Sequence, residues 1–251
     1  MLDQVCDRGA RHPSPIVRRY RDTDREAVVR CFLDTLLLGE PLPHGLANAS
    51  GYATLCLGWF LDHEPHAAHV AVDPGTGRVV GYALLATDGA AARRWARRQC
   101  LRFAVTTAPR LMSPGWSRSR AFYAARARDV LGNRTRRRRG VGGARARLGL
   151  GREHLDGALI RRMLHAVDQT CLEHGLAGFS TEIDARRDVR PPWVRLGFEL
   201  VDETSNRTLS DRLGTAVDRF TAVRRLGDQR GSTSRTASGT WEMSSRPVSP
   251  R

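Results

Sequence analysis

The chain has 251 residues, enough to bury one substantial core with decorations but too few for two full domains. Its 41 basic residues are all arginines, a usage typical first of coding bias in a high-GC bacterial genome. The net charge of +15 is local, because residues 90–147 hold 17 arginines and one acid while the rest of the chain is close to neutral. The basic segment therefore needs a local explanation.

The apolar runs and the cysteines exclude two classes of protein. No apolar run reaches the roughly 18 residues that a membrane-spanning helix needs. The five cysteines are isolated and odd in number, so neither a disulfide framework nor a zinc site is indicated, and we expect buried thiols in a reducing compartment. Because the N-terminal residues 1–15 are also polar, with acids among the bases, the sequence predicts a cytoplasmic protein.

The first predicted elements follow the order strand, helix, helix, strand, strand. They are a strand at 16–20, a helix that begins at a Thr23–Glu26 capping box, a helix at 52–61, and strands at 68–72 and 78–86 across the turn 73–77. The last of these strands is rich in Val and Leu, which is typical of a sheet interior.

The basic segment has helical periodicity, and we predict that residues 90–143 form a helical insertion. Its two apolar faces comprise Trp95, Cys100 and Phe103 in the first helix and Tyr123, Ala127, Val130 and Leu131 in the second. We expect the helices to pack over the sheet as a lid, with exposed arginines facing an acidic ligand, a carrier protein or water. Nucleic-acid binding is the less favoured alternative, because the aromatic residues fall on the apolar faces.

The remaining elements again alternate between strands and helices. They are a strand at 144–150, a helix from about 157 to 174 that ends at Gly175, and strands at 178–184, 198–203 and 217–226. Residues 227–251 are rich in Ser, Thr, Arg and Pro without periodicity, so they are predicted to be a disordered tail, and residues 1–15 a flexible N-terminus.

The stretch from Ala144 to Glu203 resembles the core of the GNAT superfamily of N-acetyltransferases. The resemblance rests on the order of elements, on the strand 180–185 and on the closing signature Trp193-Val194-Arg195-Leu196-Gly197-Phe198. It implies an α/β (α+β) fold, with a mixed, mostly antiparallel central sheet flanked by helices, over residues 16–226. It also implies an acyl-CoA-dependent N-acyltransferase that transfers an acyl group, expected to be acetyl from acetyl-CoA, to an amine of a small molecule or protein.

In this family splayed strands pair with the pantetheine arm of the co-substrate, and amides at a helix N-terminus bind its pyrophosphate. The literal loop pattern occurs at 137–142, but the residues after it do not favour a helix. The placement that fits strand, loop and helix implies co-substrate contacts from Leu148, Gly149, Leu150, Gly151, Arg152, His154, Leu155, Gly157 and Ala158. His154 and Asp156 replace small residues of the family, and Asp156 either opposes a pyrophosphate or only caps the helix.

The family's usual acid is altered too. Many members have a tyrosine four residues before the glycine of the closing signature, where it protonates the departing thiolate, whereas Trp193 stands here and its indole is no acid. Glu182 and Asp184 are then the candidate general bases, with a solvated edge carboxylate as the alternative for each. The alternative for the whole chain is a catalytically silent GNAT-like binding protein whose basic residues, within 93–139, recruit an acidic partner.

Two further patterns carry less weight. His63, His66 and His69 have a spacing of three residues, but Pro65 breaks the helix that would align them, so no metal site is predicted. Residues 206–210 join the last two predicted strands where such folds shape the acceptor pocket, and turn chemistry explains them equally well.

Overall fold

The computed structural model describes residues 14–132, 143–188 and 192–226, which form one sheet with helices on both faces. The strands are β1 (Ile16–Arg19), β2 (Ala68–Val72), β3 (Val79–Ala86), β4 (Arg145–Leu150), β5 (Gly178–Arg186), β6 (Phe198–Ser205) and β7 (Val217–Arg225). The helices are α1 (Arg25–Asp34), α2 (Ala49–Asp62), α3 (Gly89–Leu111), α4 (Ser117–Gly132), α5 (Gly157–Glu173) and α6 (Arg207–Leu213). The strand order in the sheet is β1-β2-β3-β4-β5-β7-β6.

The sheet is mixed, because β4 and β5 are parallel while every other neighbouring pair is antiparallel. The predicted fold class, a mostly antiparallel sheet flanked by helices, is confirmed. The hairpin β2–β3 and the sequence of β4, α5 and β5 also lie where the sequence placed them.

Two apolar cores hold the helices on the sheet. On one face, α5 buries residues spaced by four, Leu159, Met163, Val167 and Cys171, against the strands. On the other face, α1 and α2 pack on β2 and β3 around buried Phe32 and Tyr52. The strands β4 and β5 place different side chains on each of these two faces.

The basic segment forms the two predicted helices, α3 and α4, but the predicted apolar face of α4 is wrong in part: Tyr123 packs against the core, whereas Ala127 and Val130 are exposed. Phe122 is 2% exposed and Ser119 and Asp129 are buried with it, whereas Val130 is 37% exposed. The buried face of α4 includes a serine and an aspartate, so a prediction based on apolar residues alone misplaces it. The prediction of buried thiols is likewise wrong for Cys100, which is exposed on α3.

The start of α1 also differs from the predicted capping box. Residues Asp22–Asp24 form a 3-10 turn and α1 begins at Arg25, so Thr23 lies within the turn and not at the cap. Asp24 precedes α1 without a side-chain hydrogen bond to that helix; its carboxylate instead accepts from the Arg21 amide at 2.9 Å and pairs with Arg18 at 2.6 Å, which closes the 3-10 turn.

Three predictions concern residues that the structure leaves undescribed. The tail 227–251 and the literal loop 137–142 lie outside the described residues, as do residues 1–13 of the predicted N-terminal segment. In the parts that are described, no helix has both the length and the apolar character to cross a membrane.

Acidification should destabilise the fold through His69 of β2, which is 5% exposed and hydrogen-bonded to Thr170 at 2.8 Å. Burial lowers the pKa of His69 from 6.5 to about 4, with a further lowering from Arg19 and an opposing contribution from Glu173. The unfolded chain therefore binds this proton first, and about 2–3 kcal/mol of stability present above pH 6.5 should be lost as the pH falls to 4.

Urea unfolding between pH 7 and 4 measures this loss. His69→Gln keeps a hydrogen-bonding group for Thr170 but has no titrating ring. In this variant the loss of unfolding free energy between pH 7 and 4 should be smaller by that amount. Parallel profiles for the two proteins would contradict the role of His69.

Candidate active site

A gap opens in the middle of the sheet between β4 and β5. These strands are paired at only two positions, Arg145 with Ser180 and Ala146 with Thr181. Beyond them β4 continues along β3 as far as Leu150, and β5 continues along β7 as far as Arg186. The facing edges of β4 and β5 are thus unpaired over the rest of their length, which gives an extended ligand backbone groups to pair with.

The loop after β4 leads from this gap to the N-terminus of α5, as the chosen loop placement predicted. It is held by the protein's own backbone: the Gly151 amide donates to the Val80 carbonyl at 3.2 Å, and the Arg152 amide donates to the Gly39 carbonyl at 3.1 Å. The Arg152 side chain also pairs with Glu40. Leu155 is 56% exposed at the top of the loop.

Asp156 caps α5. Its carboxylate accepts hydrogen bonds from the amides of Ala158 and Leu159, each at 3.2 Å. These are amides of the kind that bind phosphate at a helix N-terminus. Here they face a carboxylate of the same chain.

The nine predicted co-substrate residues lie along the end of β4, the loop after it and the first turn of α5. Their contact with a co-substrate stays a prediction.

Side chains alternate along β4, so the two faces of the gap have different chemistry. Leu148 and Leu150 pack toward α5, whereas Arg145, Arg147 and Gly149 face α1 and α2. Gly149 leaves room for Tyr82 of β3, because a Cβ atom at Gly149 would collide with the phenol ring. Burial raises the pKa of Tyr82, so this phenol is a poor proton donor for a thiolate.

Both predicted bases, Glu182 and Asp184, lie on β5 at the face of the gap turned toward α2. Glu182 pairs with Arg145 at 2.9 Å and lies 3.7 Å from Arg219. Asp184 accepts two hydrogen bonds from Arg219, at 2.9 and 3.0 Å, and a third from the side-chain amide of Asn206 at 2.8 Å. The structure thus brings the two carboxylates together beside the gap, and their role as bases stays a prediction.

Asn206 and Asp129 connect the basic insertion to these carboxylates. Asn206 caps α6 by accepting from the Leu209 amide at 3.1 Å while it donates to Asp184. Asp129 of α4 accepts from the amides of Arg207 and Thr208 at 3.2 and 3.1 Å. The sequence left open whether residues 206–210 shape the acceptor pocket or only make a turn, and it did not predict the helix α6 that starts there. It also gave Asp129 no role, although a single acid among 17 arginines was a usable signal.

A second group of residues on the α2 face was not predicted. The Arg147 guanidinium donates to the Cys56 carbonyl at 2.9 Å and lies 5.4 Å from the centre of the Phe32 ring. The Arg126 side chain of α4 lies near the hydroxyl of Tyr52, and burial raises the pKa of that phenol. The rings of Phe122 and Tyr52 pack edge to face at 5.6 Å.

Trp193 and the spaced histidines have structural contacts. The Trp193 ring packs edge to face on Phe198 at 5.8 Å, in the core under α5. His63 stacks on Trp59, His66 stacks on His174, and His69 bonds Thr170. The three histidines therefore have three different neighbours. Over the described ranges no cluster of His, Cys, Asp or Glu has the geometry of a metal site.

Comparison with known proteins finds similar structures but no matching family profile or curated sequence. The structure is similar to that of SsHAT, with 19% identity, coverage of 85% of this chain and 98% of that one, and a TM-score of 0.58. It is also similar to the polyamine N-acetyltransferase of Drosophila melanogaster, an enzyme that catalyses the formation of N-acetylagmatine, with 16% identity, coverage of 85% and 100%, and a TM-score of 0.52. At these identities the similarity is one of fold.

Proposed function

From the premise that this chain has the GNAT-type fold, we propose that it is an acyl-CoA-dependent N-acyltransferase, with acetyl-CoA as co-substrate and an amine as acceptor. The observation that carries the proposal is the gap between β4 and β5, which leads directly into the N-terminus of α5. The match spans 98% and 100% of the two compared structures, and the Drosophila enzyme catalyses the formation of N-acetylagmatine.

The proposed acyltransferase domain spans residues 16–226, with 90–143 as its insertion, and works in the cytoplasm without a metal. Leu148, Gly149 and Leu150 would pair with the pantetheine arm. The residues for the pyrophosphate are those of the loop and the first turn of α5, namely Gly151, Arg152, His154, Leu155, Gly157 and Ala158. The thioester then lies at the α2 face, beside Glu182.

The chemistry needs positioning more than strong acid or base catalysis. The amine nitrogen attacks the thioester carbonyl carbon, the new C–N bond forms as the C–S bond breaks, and the thiolate leaves with the electron pair. Glu182 accepts the proton of the amine through a water molecule, with Asp184 as the other candidate. Because Trp193 donates no proton to sulfur, the thiolate takes its proton from solvent.

Calorimetric titration with acetyl-CoA tests the proposal. We expect one saturable site per chain, and absence of binding up to millimolar acetyl-CoA would overturn it. Asp156→Ser should tighten the affinity about threefold to tenfold, because serine keeps the cap of α5 and removes a negative charge near the pyrophosphate.

Asp88→Ser is the matched control for that variant. Asp88 caps α3 in the same way, with hydrogen bonds from the amides of Ala90 and Ala91 at 2.9 Å, but at the other end of β3 and β4. Its replacement should leave the affinity unchanged. Equal affinities for Asp156→Ser and the unaltered protein would mean that the pyrophosphate does not lie at this carboxylate.

The occupied amides of α5 favour a second candidate function, a catalytically silent GNAT-like protein that recruits an acidic partner through its basic helices. The exposed arginines Arg93, Arg94, Arg97 and Arg98 on α3 would form that surface. Replacement of all four by glutamine should then abolish capture of the partner, and unchanged capture would contradict this function.

A further inference from the structure

The outer side of α3 carries a row of exposed apolar side chains. Leu101, Val105 and Met112 are spaced by four and seven residues, so they lie along one side of the helix, with Met112 at its C-terminal end. They are 70%, 66% and 82% exposed. We call these three side chains the α3 strip. A continuous apolar row of this kind on a protein surface indicates an interaction site.

The α3 strip points away from the protein's own core, because the opposite side of the helix is the packed one. The Trp95 ring lies edge to face on Trp59 at 6.3 Å, and the Phe103 ring lies 6.1 Å from that of Tyr52. Thr107 is buried on the same packed side. The fold of the described residues therefore uses the other side of α3 and leaves the strip exposed.

Arginines lie beside the α3 strip. The helix α3 contains six arginines and no acidic residue, and all six side chains are exposed. Arg97 and Arg98 precede Leu101 by four and three residues, so they lie on the same side of the helix, one turn before the strip. Arg102 follows Leu101 on the flank of the strip. The outer side of α3 is therefore positively charged and apolar along one line.

The combination of charge and exposed apolar surface distinguishes among the partners that an arginine-rich helix can bind. Nucleic acid phosphates pair with the arginines but leave the α3 strip in water. An acidic protein binds best through aromatic anchors that enter a pocket, whereas the strip is a convex row without an aromatic residue. An anionic lipid surface binds both parts, because apolar side chains enter the acyl region while arginines stay at the phosphates.

We propose that the outer side of α3 binds the surface of an anionic lipid membrane, with the α3 strip in the acyl region and the arginines at the phosphate groups. Trp116, in the turn after Met112, is partly exposed and is of the residue type that favours the membrane interface. The protein lies on the membrane without crossing it. This interaction goes beyond the proposed acyltransferase reaction, which requires no lipid.

Co-sedimentation with lipid vesicles tests the proposal. One set of vesicles is phosphatidylcholine alone, and the other is an equal mixture of phosphatidylcholine and phosphatidylglycerol. The protein should bind the mixed vesicles about tenfold or more tightly than the neutral ones, and added salt should weaken this binding. Absence of binding to the mixed vesicles, or equal binding to both sets, would overturn the proposal.

A variant of the α3 strip separates lipid binding from attraction by charge alone. Leu101→Gln combined with Val105→Gln and Met112→Gln should weaken binding to the mixed vesicles about tenfold or more, because the apolar insertion is lost. Glutamine suits a helix, and the three side chains are exposed, so the variant should fold. Leu172→Gln is the control, since Leu172 is exposed on α5 at the other face of the sheet, and it should change nothing.

A charge variant completes the test. Replacing Arg93, Arg94, Arg97 and Arg98 by glutamine should also weaken binding to the mixed vesicles about tenfold or more. If this variant lost binding while the strip variant bound like the unaltered protein, the surface would be purely electrostatic, as for an acidic protein or a nucleic acid, and the lipid proposal would be overturned. Failure of vesicle binding would leave the acyltransferase proposal untouched, because acetyl-CoA titration measures a different site.

Discussion

Replacing Arg224 by glutamine should lower the free energy of unfolding by about 3–5 kcal/mol, because it leaves the Asp168 carboxylate without its cation in a buried position. Arg224 of β7 donates to both oxygens of Asp168 on α5, at 2.7 and 2.6 Å, and the two side chains are 16% and 12% exposed. The same guanidinium donates to the Leu196 carbonyl and lies 5.7 Å from the centre of the Phe198 ring. One side chain thus joins α5, β7 and the start of β6.

Urea unfolding of Arg224→Gln against Arg225→Gln measures this effect. Arg225 is the next residue of β7, and its 3.3 Å contact with Glu199 joins side chains that are 55% and 60% exposed, so its loss should cost less than about 1 kcal/mol. Adding Asp168→Asn to Arg224→Gln should recover part of the stability, because no unpaired charge then remains. Similar losses for the two arginine variants would contradict the buried ion pair as a main stabiliser.

Glu182→Gln should lower kcat about 100-fold or more if Glu182 accepts the proton of the amine. The affinity for acetyl-CoA should change little, because the proposed contacts with its pantetheine arm and pyrophosphate come from β4, the loop and α5. Steady-state kinetics with calorimetry separate the two quantities. The pH dependence of kcat should lose its acidic limb in the variant, a change that a purely structural role would not produce.

Asp184→Asn is the informative comparison. Asp184 holds Arg219 and Asn206 through three hydrogen bonds, so its replacement should lower both the melting temperature and kcat. Glu199→Gln on the exposed edge serves as the control for a general loss of charge. If Asp184→Asn abolished activity without loss of stability while Glu182→Gln did not, Asp184 would be the base and Glu182 would not.

Local patterns were sufficient for most of the elements. The turn 73–77 and the Val- and Leu-rich run after it predicted β2 and β3, and the apolar spacing of α5 predicted its buried face, because those signals lie within a few neighbouring residues. The apolar face of α4 was wrong in part because Ser119 and Asp129 are buried polar groups whose partners are distant. The hydroxyl of Ser119 accepts from the Ala47 amide, and Asp129 bonds residues 78 and 79 positions later in the chain.

The candidate site depends on pairings that no local pattern contains. Glu182 and Asp184 were visible as carboxylates on a strand, but Arg219 is brought to them by the register of β5 with β7. The gap itself is defined by where β4 and β5 cease to pair, and α4 is held to the N-terminus of α6 by hydrogen bonds of Asp129 to residues far along the chain. The family resemblance supplied the loop position, but it held no signal for the contacts of Arg219 or Asn206.

The anchoring of α4 by Asp129 has a thermodynamic consequence. Asp129, the N-terminus of α6, Asn206 and Asp184 form one continuous hydrogen-bonded path from the basic insertion to the carboxylates beside the gap. If a macromolecule displaced α4 and thereby altered the affinity for the acceptor, linkage would require the acceptor to alter the affinity for that macromolecule by the same factor.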